Sequence, residues 1–286
     1  MKQLLLENIE VKKIKQANRI IFDRNSQTYS KKRRIRFDKK TALRLMQRYE
    51  DAMGRRFQAA DTFLDIGCGS GLILLNLAKA GFISKAYGID LSFGMLKECK
   101  NNATNLATKV FLAQSDVEHL PFKSNSFSLI MGHAILHHLP DIKMAFRQVH
   151  RLLKPKGVCI FTEPTRTGSK IIATLLWFVW FFPMIIRQVT KSGDEKLVEV
   201  STFAGKELEV EAKEVGFSHI YTKPFAGFIS RIFYWIMDPI SQRISSKYYH
   251  SAIDRIVDIL SILDRCFFRL FIPKGWFDEV FIFMQK

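Results

Sequence analysis

The chain is short of cysteine, of proline and of acid, and it lacks a long charge-free run. Its four cysteines, Cys68, Cys99, Cys159 and Cys266, lie far apart and form no C-x-x-C pair. That excludes a disulfide framework and a cysteine zinc site, so buried thiols and no metal are expected. Eight prolines in 286 residues, with 48% hydrophobic and 25% charged positions, describe a globular chain and exclude a disordered or collagen-like one. No internal repeat is present, which excludes a solenoid. The apolar run "IIATLLWFVWFFPMII", uncharged between Lys170 and Arg187, has 16 residues, short of the roughly 20 that cross a bilayer as a straight helix. Pro183 shortens it further. A buried or interfacial helix is expected there, and Trp177 and Trp180 between basic flanks favour the interface. The opening "MKQLLLENIEVKK" is too short and too charged for a secretory signal, so a cytoplasmic protein is expected.

The deficit of acid is large: 44 basic against 27 acidic residues leave +17. Residues 1–60 hold 17 Lys and Arg against 6 Asp and Glu, a net of +11, and "KKRRIRFDKK" (31–40) concentrates it. Such a patch attracts anionic lipid headgroups or nucleic acid, or is simply a solvated helical face.

Against these absences stands "FLDIGCGSGLI", residues 63–73. Phe63 to Ile66 read as the end of a buried strand and Leu72 to Leu77 as an apolar helix, so Gly67, Gly69 and Gly71 occupy a strand-to-helix turn. That is where α/β sheets bind ligands. The spacing is G-x-G-x-G, not the G-x-G-x-x-G of the dinucleotide fingerprint. "KAYGID" reads as a second strand ending in Asp90, about 20 residues on, where a carboxylate can accept both hydroxyls of a ribose. "KVFLAQSD" then ends in Asp116. Three acids, Asp65, Asp90 and Asp116, thus gather at one edge of a parallel sheet, which suits a cationic nucleoside and repels a pyrophosphate.

In this order the segments resemble the class I S-adenosylmethionine-dependent methyltransferases, in particular the branch with the ubiquinone and menaquinone C-methyltransferases. "FLDIGCGSG", "GIDLSFGML", "QSDVEHLPFKSNSFSLIMGHAILHHLPD" and "RQVHRLLKPKGVCIFTEP" carry the resemblance, with "IFDRNSQTYSKK" similar to the family's entry segment. Ser26 and Ser30 depart from that segment's pattern. The resemblance implies a Rossmann-like α/β fold, doubly wound, with a seven-stranded mostly parallel sheet, and S-adenosyl-L-methionine as cofactor. It implies cofactor contacts from Tyr29, Asp65, Gly67, Cys68, Gly69, Gly71, Asp90, Leu91, Met95, Asp116, Val117 and His133. Asp65 would face the methionine ammonium, Asp90 the ribose and Asp116 the adenine amino group, with Val117 beside it. In "HAILHHLPD", His137 and His133 are candidate general bases, while capping and packing are the structural alternative. The family carries this His-His pair without a metal. No N-P-P-Y or D-P-P-Y follows the fourth strand, the mark of transfer to an exocyclic base nitrogen in the related nucleic-acid enzymes.

"FSLIMGHA" reads as the fourth strand and "GVCIFTEP" as the fifth, with a helix between them carrying Ile142, Ala145, Phe146, Val149, Leu152 and Leu153. "GKELEVEAKEVGF" reads as a helix ended by Gly216, and "HIYTKPF" and "DEVFIFMQK" as the last two strands. A basic helical segment, 1–60, is expected to cover the cofactor edge. A methyltransferase domain, 61–286, would carry apolar insertions at 166–200 and 228–275, both leaving from the cofactor edge. Within the second, residues 253–271 on a helix place Asp254, Asp258, Ser261, Arg265 and Arg269 opposite Ile256, Leu260, Leu263, Phe267 and Leu270, with Asp264 as the misplaced charge. The reading is a methyltransferase acting on a hydrophobic acceptor, such as a quinone precursor, a lipid or a polyisoprenoid-linked compound, peripheral on an anionic cytoplasmic membrane face. An RNA methyltransferase and a non-catalytic cofactor-binding subunit are the alternatives.

Overall fold

Parallel strands buried on both faces need near-continuous apolar runs; the chain supplies them in the central β1 (Ala60–Ile66) and β4 (Phe127–His133) and over the second half of β5 (Leu153–Pro164), beside β2 (Ile83–Asp90) and the edge strand β3 (Phe111–Gln114). With β6 (Ser218–Pro224) and β7 (Glu279–Gln285) they form, in this computed structural model, one sheet of order β3-β2-β1-β4-β5-β7-β6. The structure describes residues 2–33, 35–165, 170–171, 203, 205–225, 227–241, 244, 247–273, 277 and 279–286. Trp177, Trp180 and all but Ile171 of the expected interfacial helix lie outside them.

The pairs β3-β2, β2-β1, β1-β4 and β4-β5 are parallel. β7 runs against its neighbours: past its end, Lys286 N donates to Gly157 O near the start of β5, and at its start Glu279 O accepts from Phe225 N just beyond β6. The sheet is therefore doubly wound and mostly parallel, the Rossmann-like arrangement.

Six helices complete this layer: α1 (Lys2–Lys32), α2 (Lys39–Met53), α3 (Leu72–Lys79), α4 (Phe93–Asn105), α5 (Ile142–Leu152) and α6 (Gly205–Val215). Side-chain caps start three of them. Asp38 accepts from Thr41 N at 2.8 Å, Ser92 from Met95 N at 3.0 Å and Asp141 from Met144 N at 2.8 Å. On α5 the 3.6-residue period puts Ala145, Phe146, Val149 and Leu152 fully inside. Leu153, read as part of that helix, has extended backbone and opens β5 instead. The basic decamer 31–40 is not one helical face: Asp38 caps a new helix, so the described residues between Lys32 and Lys39 join α1 to α2.

The chain divides into two compact units, 1–163 with 196–222 and 281–286, and 164–195 with 223–280. The second holds α7 (Ile229–Ser241), α8 (Lys247–Leu263) and a π-helical turn, Asp264–Phe268, followed by a last helical turn at Arg269–Phe271. Here the charge that looked misplaced is the inward residue. Asp264 is 2% exposed; its Oδ1 accepts from Ile229 N at 2.9 Å, and its Oδ2 from Ser230 N at 2.9 Å and Ser230 Oγ at 2.6 Å. It thereby caps the start of α7. Ile253 points in with it, while Ile256, Leu263, Phe267 and Leu270 are exposed.

Candidate functional site

The turn from β1 to α3 bends through Gly67, Gly69 and Gly71, whose φ angles are +66°, +53° and +95°, a region L side chains rarely enter. Space excludes side chains too. A Cβ on Gly67 would stand 2.8 Å from Ile135 Cδ1, and one on Gly71 2.7 Å from Leu75 Cδ1. Gly69 faces the buried Met95, with 3.2 Å from such a Cβ to Met95 Cε. Cys68 donates its N–H to Ile89 O and turns its sulfur toward Gly88. A hydrogen bond with the Cys99 thiol, and then burial, hold the Cys68 thiol well above its usual range. This residue offers backbone, not sulfur, to the edge.

Asp90 ends β2 and clamps the turn: its Oδ2 accepts from Gly69 N and its Oδ1 from Ser92 N, both at 2.9 Å. Each oxygen retains acceptor capacity for a further donor. Withdrawal from water pushes the Asp90 carboxyl up to about 6, against the pull of those N–H groups. Leu91 follows, partly exposed. Burial, reinforced by the Asp90 charge and opposed by Arg33, raises the Tyr29 hydroxyl above its usual range.

Asp65 lies one residue before the end of β1 and is 2% exposed. It accepts Leu74 N at 3.1 Å, in the first turn of α3, a helix whose own cap, Gly71, has no side chain to do so. Burial, and then the nearby Asp90 charge, push its carboxyl up to about 8 against the Leu74 bond. Asp116 sits two residues beyond the end of β3. Its Oδ1 accepts from Glu118 N at 3.0 Å and its Oδ2 from Lys15 Nζ at 2.7 Å; Lys15 also reaches Glu118 Oε2 at 2.5 Å. Val117 is buried between them. Asp116, Glu118 and His119 are close enough to share a cation, and the Lys15 ammonium rests on the first two.

Lys15 belongs to α1, which lies along this edge. Farther on, Asp23 Oδ1 accepts from Ser92 Oγ at 2.6 Å and Gly94 N at 2.8 Å, and the Phe22 ring stands edge-on to His138 at 5.6 Å.

Beyond β4 the chain turns sharply at Ala134, with φ +54°, an uncommon conformation for a side-chain-bearing residue. The turn aims three N–H groups at one carboxylate. Glu163, fully buried near the end of β5, accepts from Ile135 N and Leu136 N at 2.9 Å and from His137 N at 3.4 Å. His137 Nδ1 lies 2.8 Å from Glu163 Oε2. A carboxylate receiving three backbone donors is an acceptor for the ring as well, so Nδ1 carries the hydrogen and Nε2 the lone pair. His133 Nδ1 instead pairs with Thr162 Oγ1 at 2.5 Å.

The structure therefore brings Tyr29, Asp65, the three glycines, Asp90 and Met95 together at one turn, and His137 sits on the loop whose Ile135 packs against Gly67. Sequence reasoning missed Glu163, Lys15 and Asp23. Glu163 had a signal, being a fourth acid near a strand's carboxyl end; Asp23 lay in the entry segment without a role of its own, and Lys15 had no signal. The arrangement suits a ligand that lies against backbone, offers hydroxyls to Asp90 and brings positive charge to Asp65.

Comparisons with known proteins bear on the family and the fold. A methyltransferase domain family matches residues 64–161. The demethylmenaquinone methyltransferase of Staphylococcus aureus (strain JH9) is 31% identical over 171 residues, 57% of this chain and 70% of that protein. Among solved structures, phosphoethanolamine N-methyltransferase 2 of Haemonchus contortus, in complex with S-adenosyl-L-methionine, has a TM-score of 0.56 at 17% identity, over 87% of this chain and 52% of that one. An S-adenosylmethionine-dependent methyltransferase of Thermotoga maritima has 0.53 at 16% identity, over 94% and 99%. At such identities the structural likeness concerns the fold alone, whereas the curated relative and the matched domain concern descent. With S-adenosyl-L-methionine as cofactor, the chain belongs to the class I S-adenosylmethionine-dependent methyltransferases.

Proposed function

We propose that this enzyme methylates a hydrophobic, quinone-like acceptor, and that the Glu163-held imidazole of His137 is the group that takes the acceptor's proton. Bound cofactor supplies a methyl group on a sulfonium, already a good leaving group. The protein's part is then to orient the reactants, exclude water and move a proton. In this reading Asp90 holds the ribose hydroxyls, Asp65 balances the methionine ammonium and Gly67 and Gly69 let the ligand lie against the main chain. Asp116 accepts from the adenine amino group beside Val117, sharing its carboxylate with Lys15.

The observation that carries the reading is the orientation of His137. Its Nδ1 hydrogen is committed to Glu163, which leaves Nε2 as the basic atom of a ring 5% exposed. A general base of this kind serves an acidic O–H or C–H better than an amine that already has its lone pair. The similarity to a demethylmenaquinone methyltransferase supports a quinone-like acceptor, met at or near a membrane on the cytoplasmic side.

The test combines two measurements. Titration calorimetry with S-adenosylhomocysteine should give a loss of about 100-fold or more in affinity for Asp90→Ala, since two charge-assisted hydrogen bonds are worth roughly 1.5–3 kcal/mol each. Methyl-labelled cofactor with detergent-dispersed demethylmenaquinone should yield labelled lipid, and His137→Ala should lose turnover while keeping cofactor affinity. Labelling of RNA in place of the quinone sinks the acceptor assignment.

A further inference from the structure

Amphipathic helices of soluble proteins normally turn their apolar side inward, whereas α8 leaves much of its apolar surface exposed. Of the 14 exposed large apolar residues among those described, seven lie between Ile256 and Phe271: Ile256, Ile259, Ile262, Leu263, Phe267, Leu270 and Phe271, from 41% to 77% exposed. They recur every three or four positions, so they form one stripe along α8 and the turns after it. The orientation is locked from within, because Ile253, beside the stripe, is buried and Asp264 is bonded to the start of α7. Rotating the stripe inward would break three hydrogen bonds and drag a carboxylate out.

We propose that this stripe docks on an anionic lipid bilayer, with α8 lying in the plane of the interface and its apolar side in the acyl boundary. Three observations select that occupant. No helix among the described residues is long and apolar enough to cross a membrane, so the segment lies on the bilayer and does not span it. Residues 247–274 carry Lys247, Arg255, Arg265, Arg269 and Lys274 against Asp254, Asp258 and the buried Asp264, and the exposed Arg255 adjoins Ile256 at the edge of the stripe. Basic residues beside an apolar helix face complement anionic headgroups. The whole chain carries +17, which repels a second copy of itself and attracts a negative surface. For its purpose, though not for its geometry, the proposal rests on the reading of a hydrophobic acceptor.

Co-sedimentation of the full chain with vesicles of phosphatidylglycerol and phosphatidylcholine tests it. Ile259→Asp and Leu263→Asp should each weaken partitioning about tenfold or more, with Ile259→Leu close to wild type. Melting temperature and S-adenosylhomocysteine affinity should not move. Binding should fall but persist in 0.5 M salt, because apolar burial is not screened. Unchanged partitioning of the Asp variants overturns the proposal, as does wild-type protein that ignores these vesicles. A wild-type dimer in sedimentation equilibrium that the same substitutions dissociate overturns it in favour of self-association. Turnover of detergent-dispersed demethylmenaquinone separates the two readings. Vesicle binding without turnover defeats the acceptor and leaves the docking face standing; turnover without vesicle binding does the opposite.

Discussion

Asp65 and Asp264 are each 2% exposed, and each accepts a backbone N–H at the start of a helix. What separates them is supply. Asp264 receives Ile229 N, Ser230 N and Ser230 Oγ, so its charge is met inside the protein. Asp65 receives Leu74 N alone, with the Asp90 carboxylate as a neighbour. A fully served carboxylate is a structural fixture. An underserved one holds an unmet demand for positive charge, which a ligand can satisfy and the fold has not.

The largest expected effect is on the served acid. Asp264→Ala leaves two backbone donors and a hydroxyl without their acceptor and should destabilise the protein by about 3–5 kcal/mol in denaturant melts. Hydrogen exchange should quicken first at Ile229 and Ser230. An unperturbed melt would mean that the three bonds count for little, and the contrast would collapse.

Next comes Glu163, a served acid inside the site. Glu163→Gln leaves one carbonyl oxygen, which can keep Ile135 N and Leu136 N, but puts a donating NH2 group where Oε2 accepted from His137, so the His137 tautomer is released. Turnover should fall roughly 100-fold or more with cofactor affinity intact, and the pH profile of kcat should shift. A loss of stability with no change in that profile would make Glu163 only a cap for the turn after β4.

Asp65→Asn probes the underserved acid, and its sign can be worked out. The folded-state carboxyl lies at about 8, well above an ordinary aspartate at 3.8, so between those values the folded protein holds a proton that the unfolded chain has released. Stability is then full below about pH 4 and falls as pH rises toward 8. Asp90, at about 6, adds to the lower part of that window. Between pH 6 and 8 the cofactor-free protein should lose about 2 kcal/mol, and Asp65→Asn should flatten that fall. In the wild type, affinity for the ammonium-bearing cofactor should rise over the same range. A flat wild-type curve would show that Asp65 is already served.

The smallest effect is expected at Lys15. Its side chain and that of Asp116 are 17% and 27% exposed, so solvent screening keeps Lys15→Met to about 1 kcal/mol of stability, shrinking further in high salt. A much larger loss would place Lys15 with the structural fixtures.

How legible these regions were in the sequence follows from the distance between partners. Gly67, Gly69, Gly71 and Asp90 stand in one βαβ unit, where spacing alone implies a turn and a carboxylate facing it. The apolar period of α5 likewise implied its buried side. Asp23 and Lys15 had no such signal, because Ser92 and Asp116 are 69 and 101 residues away and nothing local to α1 marks the pairing. For residues 253–271 the helical period put Ile256, Leu263, Phe267 and Leu270 on one side, yet a period cannot say which side faces in. Asp264 decides that, through a helix start 35 residues earlier. Glu163 was readable as a strand-end acid but not as the centre of four donors, since the strained turn at Ala134 is visible only in three dimensions.

The contacts of α1 also set an order of events during synthesis. Its residues leave the ribosome first, yet Asp23 must wait for Ser92 and Gly94, and Lys15 for Asp116 and Glu118, the last of these 103 positions later. At about 5–20 residues per second, that is a delay of roughly 5–20 seconds in which a basic helix of 31 residues has none of these partners. The helix made first thus waits for partners made up to 103 positions later. A nascent chain stalled before residue 116 would lack both acceptors of Lys15.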